Sequence, residues 1–283
     1  MGSDRFEMTD RLKRIIENAE KEAVRDKCLI VDPDHLLAAF LMERTGVFGE
    51  IFLKGQFHLE SIKRGMEHSK KEGFVHPIFK TRVTSSILEL FLKATEIRER
   101  YGQFHLNEGH VLKALMMSGE VDHLLTKEQK AVLISHGTTA RDLIVHLPSI
   151  MEKSFEDSFI RVARVEEKER VCAFVREHFS ADWAETVWNG METEVPTVFL
   201  AENEKGDYIG FAAFDAYKKK KGYFGPMGVL PESRQGGMGK NLLLSCLKEM
   251  SNRNYEYAVI GGAGPIEFYE KTCCAAVIPI FEK

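Results

Sequence analysis

Between Arg234 and Lys240 the chain reads Arg-Gln-Gly-Gly-Met-Gly-Lys, two cations enclosing three glycines in four positions. Gly236, Gly237 and Gly239 permit backbone conformations and close approaches that a Cβ would block. Ahead of them a short apolar run, Tyr223 to Leu230, reads as a strand that Pro231 ends, since proline cannot donate to a sheet ladder. Behind them Leu242, Leu243, Cys246, Leu247 and Met250 recur at helical spacing and make one apolar face. A strand, a glycine turn and a helix N-terminus together form an anion cradle, because the first-turn amides and the helix dipole favour negative charge. The nucleotide loops fail on the residues. A Walker A loop wants Ser or Thr after Gly239-Lys240, where Asn241 stands, and glycine where Arg234 stands. The dinucleotide spacing Gly-x-Gly-x-x-Gly is not met either. An ordinary turn before a core helix explains neither Arg234 nor the glycine density.

The elements that must position this loop belong to the second half of the chain. At 283 residues and 44% apolar content, two domains with two cores are expected. We expect residues 1–147 to form the first and 158–283 the second, with 148–157 a linker in which Met151 to Asp157 is either linker or the approach to the first strand. The formal net charge of −4 gives no global electrostatic case for nucleic acid. No apolar run is long enough to span a bilayer, so no membrane partner is expected. The N-terminus lacks an apolar secretion core, and Phe6 stands where a myristoylation motif wants Ser or Thr. Five scattered cysteines without zinc or Cys-x-x-Cys spacing fit a reducing cytoplasm.

The first half is a helical repeat. A shift of 75 carries Asp32 onto Asn107, His35 onto His110, Leu12 onto Ile87, Ile15 onto Leu90, Ala19 onto Ala94 and Ala39 onto Ala114. Asp32 and Asn107 are N-caps of compact apolar helices, with Pro33 at a tolerated first position. Nine of the ten histidines fall in this half, but without a common face; packing or capping roles are expected of them, and no metal. On Met8-Thr9, Leu12, Ala19 and Asp32-Pro-Asp-His35-Leu-Leu-Ala-Ala-Phe40, with Val83-Thr84, Ala94 and His110-Val-Leu-Lys-Ala-Leu115, the segment resembles the Clp N-terminal domain of the Clp/Hsp100 unfoldases. The second unit departs from the pattern at Glu108-Gly109. With no Walker A in the chain, the resemblance implies a protein-docking module rather than a motor.

From Phe159 onward β-branched alternation begins, and strands at Phe159–Arg164, Thr197–Ala201, Tyr208–Tyr217, Tyr257–Ile260 and Ala276–Ile280 interleave with helices. The expected class is thus an all-α double-repeat domain followed by an α+β domain with a mixed, mostly antiparallel sheet. Arg234, Gly237 and Gly239, with Val229-x-Pro231 before them and the Leu-rich helix after, resemble motif A of the GNAT acetyltransferases. That resemblance covers residues 158–283 and implies acetyl-CoA as cosubstrate, its pyrophosphate over Arg234, Gln235, Gly236, Gly237, Met238, Gly239 and Lys240. It implies pantetheine bonded to the backbone of Met227, Gly228 and Val229, where family strands splay. Phe268-Tyr269-Glu-Lys271 is similar to the family's Phe-Tyr-x-Lys, in which the tyrosine is the general acid. A phenol of pKa about 10 keeps its proton at neutral pH and can give it to a thiolate. Cys273-Cys274 stands where many members have glycine.

For the base the candidates are Glu192, Glu194, Glu202, Asp215 and Glu232, or ordered water. Glu185, Glu192, Glu194, Glu202 and Glu204 suggest an acidic rim for a cationic amine. Lys218 to Lys221 read as a solvated hairpin tip. The expected function is acetyl transfer from acetyl-CoA to a primary amine, with the helical domain docking a protein partner. The alternative is a non-catalytic, acyl-CoA-sensing adaptor or regulator of a Clp-type protease or unfoldase.

Overall fold

The computed structural model describes residues 7–66, 72–150, 159–234 and 236–281. It divides into two compact units, residues 1–140 with 279–283, and residues 141–278. Met151 to Asp157, expected as linker or first-strand approach, and the cradle residue Gln235 lie outside the described residues.

In the first unit α1 (Asp10–Arg25), β1 (Ile30–Val31), α2 (Pro33–Met42), α3 (Val47–Gly55) and α4 (Leu59–Gly65) are followed by β2 (Arg82–Val83), α5 (Ser85–Arg100), α6 (Glu108–Ser118) and α7 (Lys127–Gly137). The 75-residue register holds in three dimensions, since α5 begins and ends 75 residues after α1. It also relates the short strand contacts, which a purely helical expectation did not contain. Val31 pairs in parallel with Val83, and Met8 pairs in parallel with Leu106, the same pair with the two repeats exchanged. Each repeat thus completes the other, as expected of units that cannot cover an apolar face alone.

The histidines at the helix starts close both caps. Asp32 accepts from the His35 amide while His35 Nδ1 accepts from the Asp32 amide, and Asn107 and His110 do the same. Glu108, the departure in the second repeat, is buried and answers Arg11 of the first at 2.7 Å and the Thr9 hydroxyl at 2.8 Å. Among the described residues no three His, Cys, Asp or Glu side chains converge as a metal site would need. No helix among them is long and apolar enough to cross a membrane.

The second unit contains β3 (Arg141–His146), β4 (Ile160–Val162), α8 (Lys168–His178), α9 (Ala181–Met191), β5 (Val198–Glu202), β6 (Tyr208–Phe214), β7 (Tyr223–Val229), α10 (Met238–Asn252), β8 (Tyr257–Ala263), α11 (Ile266–Cys273) and β9 (Ala276–Val277). The sheet order is β4-β5-β6-β7-β8-β3-β9, antiparallel throughout except for the parallel pair β7–β8. Residues 141–146, which the sequence reading left in the helical half, therefore form an interior strand of this sheet. The alternation Arg141, Leu143, Val145 buried against Asp142, Ile144, His146 exposed is that of a strand with one covered face. The last strand is shorter than expected, and residues 279–281 return to the first unit, where the Ile280 amide donates to Glu50 at 2.9 Å.

α8 and α9 cover one face of the sheet, through Val171, Val175, Ala184 and Val187 packed on Val198, Leu200, Phe211 and Ala213. α10 buries Leu242, Leu243, Leu244, Cys246, Leu247 and Met250 as it packs on β5, β6 and β7.

Candidate active site

β7 and β8 begin as neighbours and then part. Their parallel pairing comprises Tyr223↔Val259 and Phe224↔Ile260, after which β7 continues only with β6, through Ala212↔Met227, Phe211↔Gly228 and Gly210↔Val229. In an antiparallel ladder successive residues bond alternately to either side. Leu230 donates to Ile209 on β6, so Gly228 also turns its amide to β6, while Met227 and Val229 turn theirs toward the opening. Val229 shows this directly, because its carbonyl accepts from Arg234 Nε at 3.1 Å. Of the three pantetheine candidates, two thus have outward backbone. Gly228 has a different reason to be glycine: a Cβ there would lie 2.4 Å from the Phe179 ring.

The loop after β7 passes through a short turn at Pro231–Ser233 and reaches α10 by two consecutive left-handed glycines, Gly236 at φ +90° and Gly237 at φ +83°. L side chains are strained in that region. Gly237 is the N-cap of α10 and offers no capping side chain, and the first turn carries no acidic residue. The first helical bond runs from the Asn241 amide to the Gly237 carbonyl at 3.0 Å. The amides of Met238, Gly239 and Lys240 precede it and have no partner within the helix. Cβ atoms at Gly236 and Gly237 would meet nothing within 4 Å, and one at Gly239 only Val229 Cγ2 at 3.9 Å. Among the described residues, none fills the room that the glycines leave. Arg234 is half-buried beside it and Lys240 is exposed. An uncapped, glycine-cleared helix start flanked by two cations fits a phosphate.

α10 starts beyond the carboxyl end of β7, and α11 beyond that of β8. In open sheets the crevice outside the carboxyl ends, where neighbouring connections diverge, is where ligands bind. Tyr269 lies on α11, which packs against α10. Its ring is buried at 9% exposure and stands edge-on to Phe268. Burial, with the neighbouring Cys273 adding to it, pushes its phenol well above the usual tyrosine range. Cys273 is itself buried and donates to the Tyr269 carbonyl, whereas Cys274 is exposed.

The carboxylates singled out from sequence are mostly occupied. Asp215 is buried, accepting from the Gly222 amide at 2.7 Å and the Tyr255 hydroxyl at 2.6 Å, so it locks the β6–β7 hairpin. Glu202 answers Arg161 together with Glu167. Glu192 accepts from Lys168 and from Trp188 Nε1. Glu194 and Glu232 are exposed. At the hairpin tip Lys220 sits over both Tyr217 and Tyr223, which stack on each other. The sequence reading also passed over an aromatic wall beside the opening: Phe179, against Gly228, stacks on the partly exposed Trp183, and both meet Phe211 edge-on. Only Gly228 hinted at it, since glycine inside a strand marks close approach.

Comparison with known proteins gives two family matches. The Clp repeat (R) N-terminal domain model matches residues 7–128, and the acetyltransferase (GNAT) family model matches residues 161–273. The chain joins a Clp repeat domain to a GNAT domain. Over the Clp domain it is 30% identical, across 130 residues, to chaperone protein ClpB of Bacillus cereus, and 28% identical to that of Bacillus anthracis. The match spans 44% of this chain and 15% of the length of those curated relatives. Among solved structures, the Hsp104 N-terminal domain from Candida albicans is similar at 19% identity and a TM-score of 0.35, over 47% of this chain and 93% of that one. A GNAT family N-acetyltransferase from Escherichia coli in complex with CoA is similar at 21% identity and a TM-score of 0.29, over 36% and 63%. The GNAT match begins at residue 161, so the interior strand β3 lies ahead of the matched residues.

Proposed function

We propose that the GNAT domain is an N-acetyltransferase that passes the acetyl group of acetyl-CoA to a primary amine, and that the Clp repeat domain docks a protein partner, in the cytoplasm. The observation that carries the catalytic part is the parting of β7 from β8 beside an uncapped α10, two backbone sites fitting one elongated ligand. Bound acetyl-CoA supplies an activated acyl thioester. The outward amides of Met227 and Val229 would hold its pantetheine, and an amide aimed at the acyl oxygen would stabilise negative charge there. The amides of Gly236 to Lys240 would hold the pyrophosphate, with Arg234 and Lys240 beside it. Tyr269 keeps its proton at neutral pH, because burial disfavours the phenolate, and is the group to protonate the departing sulfur.

The test is Tyr269→Phe in steady-state transfer, with coenzyme binding measured in parallel. We expect kcat to fall roughly 100-fold or more, the range for a lost general acid, while acetyl-CoA affinity stays native. Unchanged kcat would remove Tyr269 from the mechanism. A native protein that binds acetyl-CoA and acetylates no amine would instead favour an acyl-CoA-sensing adaptor.

A further inference from the structure

The acceptor amine must lose a proton before it attacks, and β3 carries a carboxylate beside the fork. Asp142 stands where the β3–β8 register shifts, between Arg141↔Ala263 and Leu143↔Ile260. The extra residue is on β8, where Gly261 and Gly262 together oppose the single residue Asp142, and the ladder is interrupted there. Here Asp142 Oδ1 accepts from the Gly262 amide at 2.8 Å. Gly262 lies two residues beyond Ile260, the last residue of β8 paired with β7, so the carboxylate is tied to the fork itself. Its other oxygen, Oδ2, makes no hydrogen bond or ion pair among the described residues.

Asp142 shares its face of the sheet with Tyr223 beside the fork. Leu143 and Val145 are buried, so Asp142 and Ile144 take the opposite, exposed face. Tyr223 is on that face too, since its neighbour Phe224 is buried on the other, and a Cβ at Gly261 would lie 1.6 Å from the Tyr223 hydroxyl. The phenol therefore reaches across β7 to β8, into room that Gly261 leaves. Gly262, at φ +60°, would direct a Cβ into open space, so the ground beside the carboxylate is clear. Burial chiefly, and then the charges of Asp142 and Tyr217, raises the Tyr223 phenol above its ordinary range.

We propose that Asp142 is the general base of the transfer, set at the β7–β8 fork opposite the β8 bulge at Gly261 and Gly262, with the Tyr223 hydroxyl orienting the acceptor beside it. This rests on the acetyltransferase reading. The acceptor ammonium gives one proton to the Asp142 carboxylate, and the freed lone pair bonds to the thioester carbonyl carbon. The carbon–sulfur bond breaks, its electron pair leaves on sulfur, and sulfur takes a proton from Tyr269. The nitrogen's second proton passes to solvent, Asp142 releases its proton to solvent, and Tyr269 regains one.

The test compares the full-length native protein with Asp142→Asn, which can still accept from the Gly262 amide and so keeps the bulge. The probes are acetyl-CoA with primary amines protonated at neutral pH, phenethylamine and spermidine among them, and methoxyamine, which is unprotonated there. We expect kcat with the protonated amines to fall roughly 100-fold, the methoxyamine rate to hold, and acetyl-CoA affinity to stay native. Equal losses on both kinds of acceptor, or none on either, would overturn the assignment. So would a native protein that binds acetyl-CoA and acetylates none of the protonated amines. Failure of the native protein to bind acetyl-CoA would overturn the acetyltransferase reading itself, and this base with it.

Discussion

At the scale of single residues, the strongest charge arrangement in the GNAT domain is structural. Arg161 on β4 holds Glu167 at 2.7 and 2.8 Å and Glu202 at 2.5 Å, and the Tyr208 hydroxyl donates to Glu167 at 3.0 Å. The Arg161 bonds hold the Glu167 carboxyl at about 2, far below the usual carboxylate range. Its folded pKa lies below the unfolded one of about 4.3, so this stabilisation is complete above that pH and is lost as the pH falls through about 2. We expect Glu167→Gln to cost about 1–2 kcal/mol at neutral pH in urea unfolding and to flatten the acid limb of stability between those values. An unchanged acid limb would contradict the account. Nothing in the spacing of Arg161, Glu167 and Glu202 announces this triad, because they meet only once β4 and β5 pair. The cap residues Asp32 and Asn107, by contrast, were legible, since a cap acts within three residues of itself.

At the scale of elements, the glycine loop and α10 were readable because the signals are local: apolar strand, proline stop, glycines, apolar helical face. The fork was not readable from residues alone, since it depends on which strand lies beside β7. Gly239 separates a local from a ligand role. It lies inside α10 at an ordinary helical conformation with only Val229 Cγ2 near its missing Cβ. Gly239→Ala should therefore raise stability by roughly 0.5–1 kcal/mol through helix propensity, while weakening acetyl-CoA binding by intruding on the cradle. A thermal melt and a binding titration on the same sample check both signs. A variant that is stabilised with native affinity would show that no ligand approaches Gly239.

At the scale of the molecule, the origin of β3 matters most. Alternation over six residues, Arg141 to His146, was present in the sequence but was outweighed by the helical pattern before it and the Leu147-Pro148-Ser149 break after it. The strand fills the sheet between β8 and β9, with Leu143 and Val145 fully buried. A fragment of residues 139–278 should unfold cooperatively by circular dichroism, whereas one of 150–278, which lacks β3, should not. Equal cooperativity would mean that β3 is dispensable. The most direct test of the central claim is calorimetric titration of the full chain with acetyl-CoA, beside Gly237→Trp, which fills the cradle. Micromolar binding by the native protein that vanishes in the variant is the expected result. A folded native protein that takes up no acetyl-CoA would contradict the account.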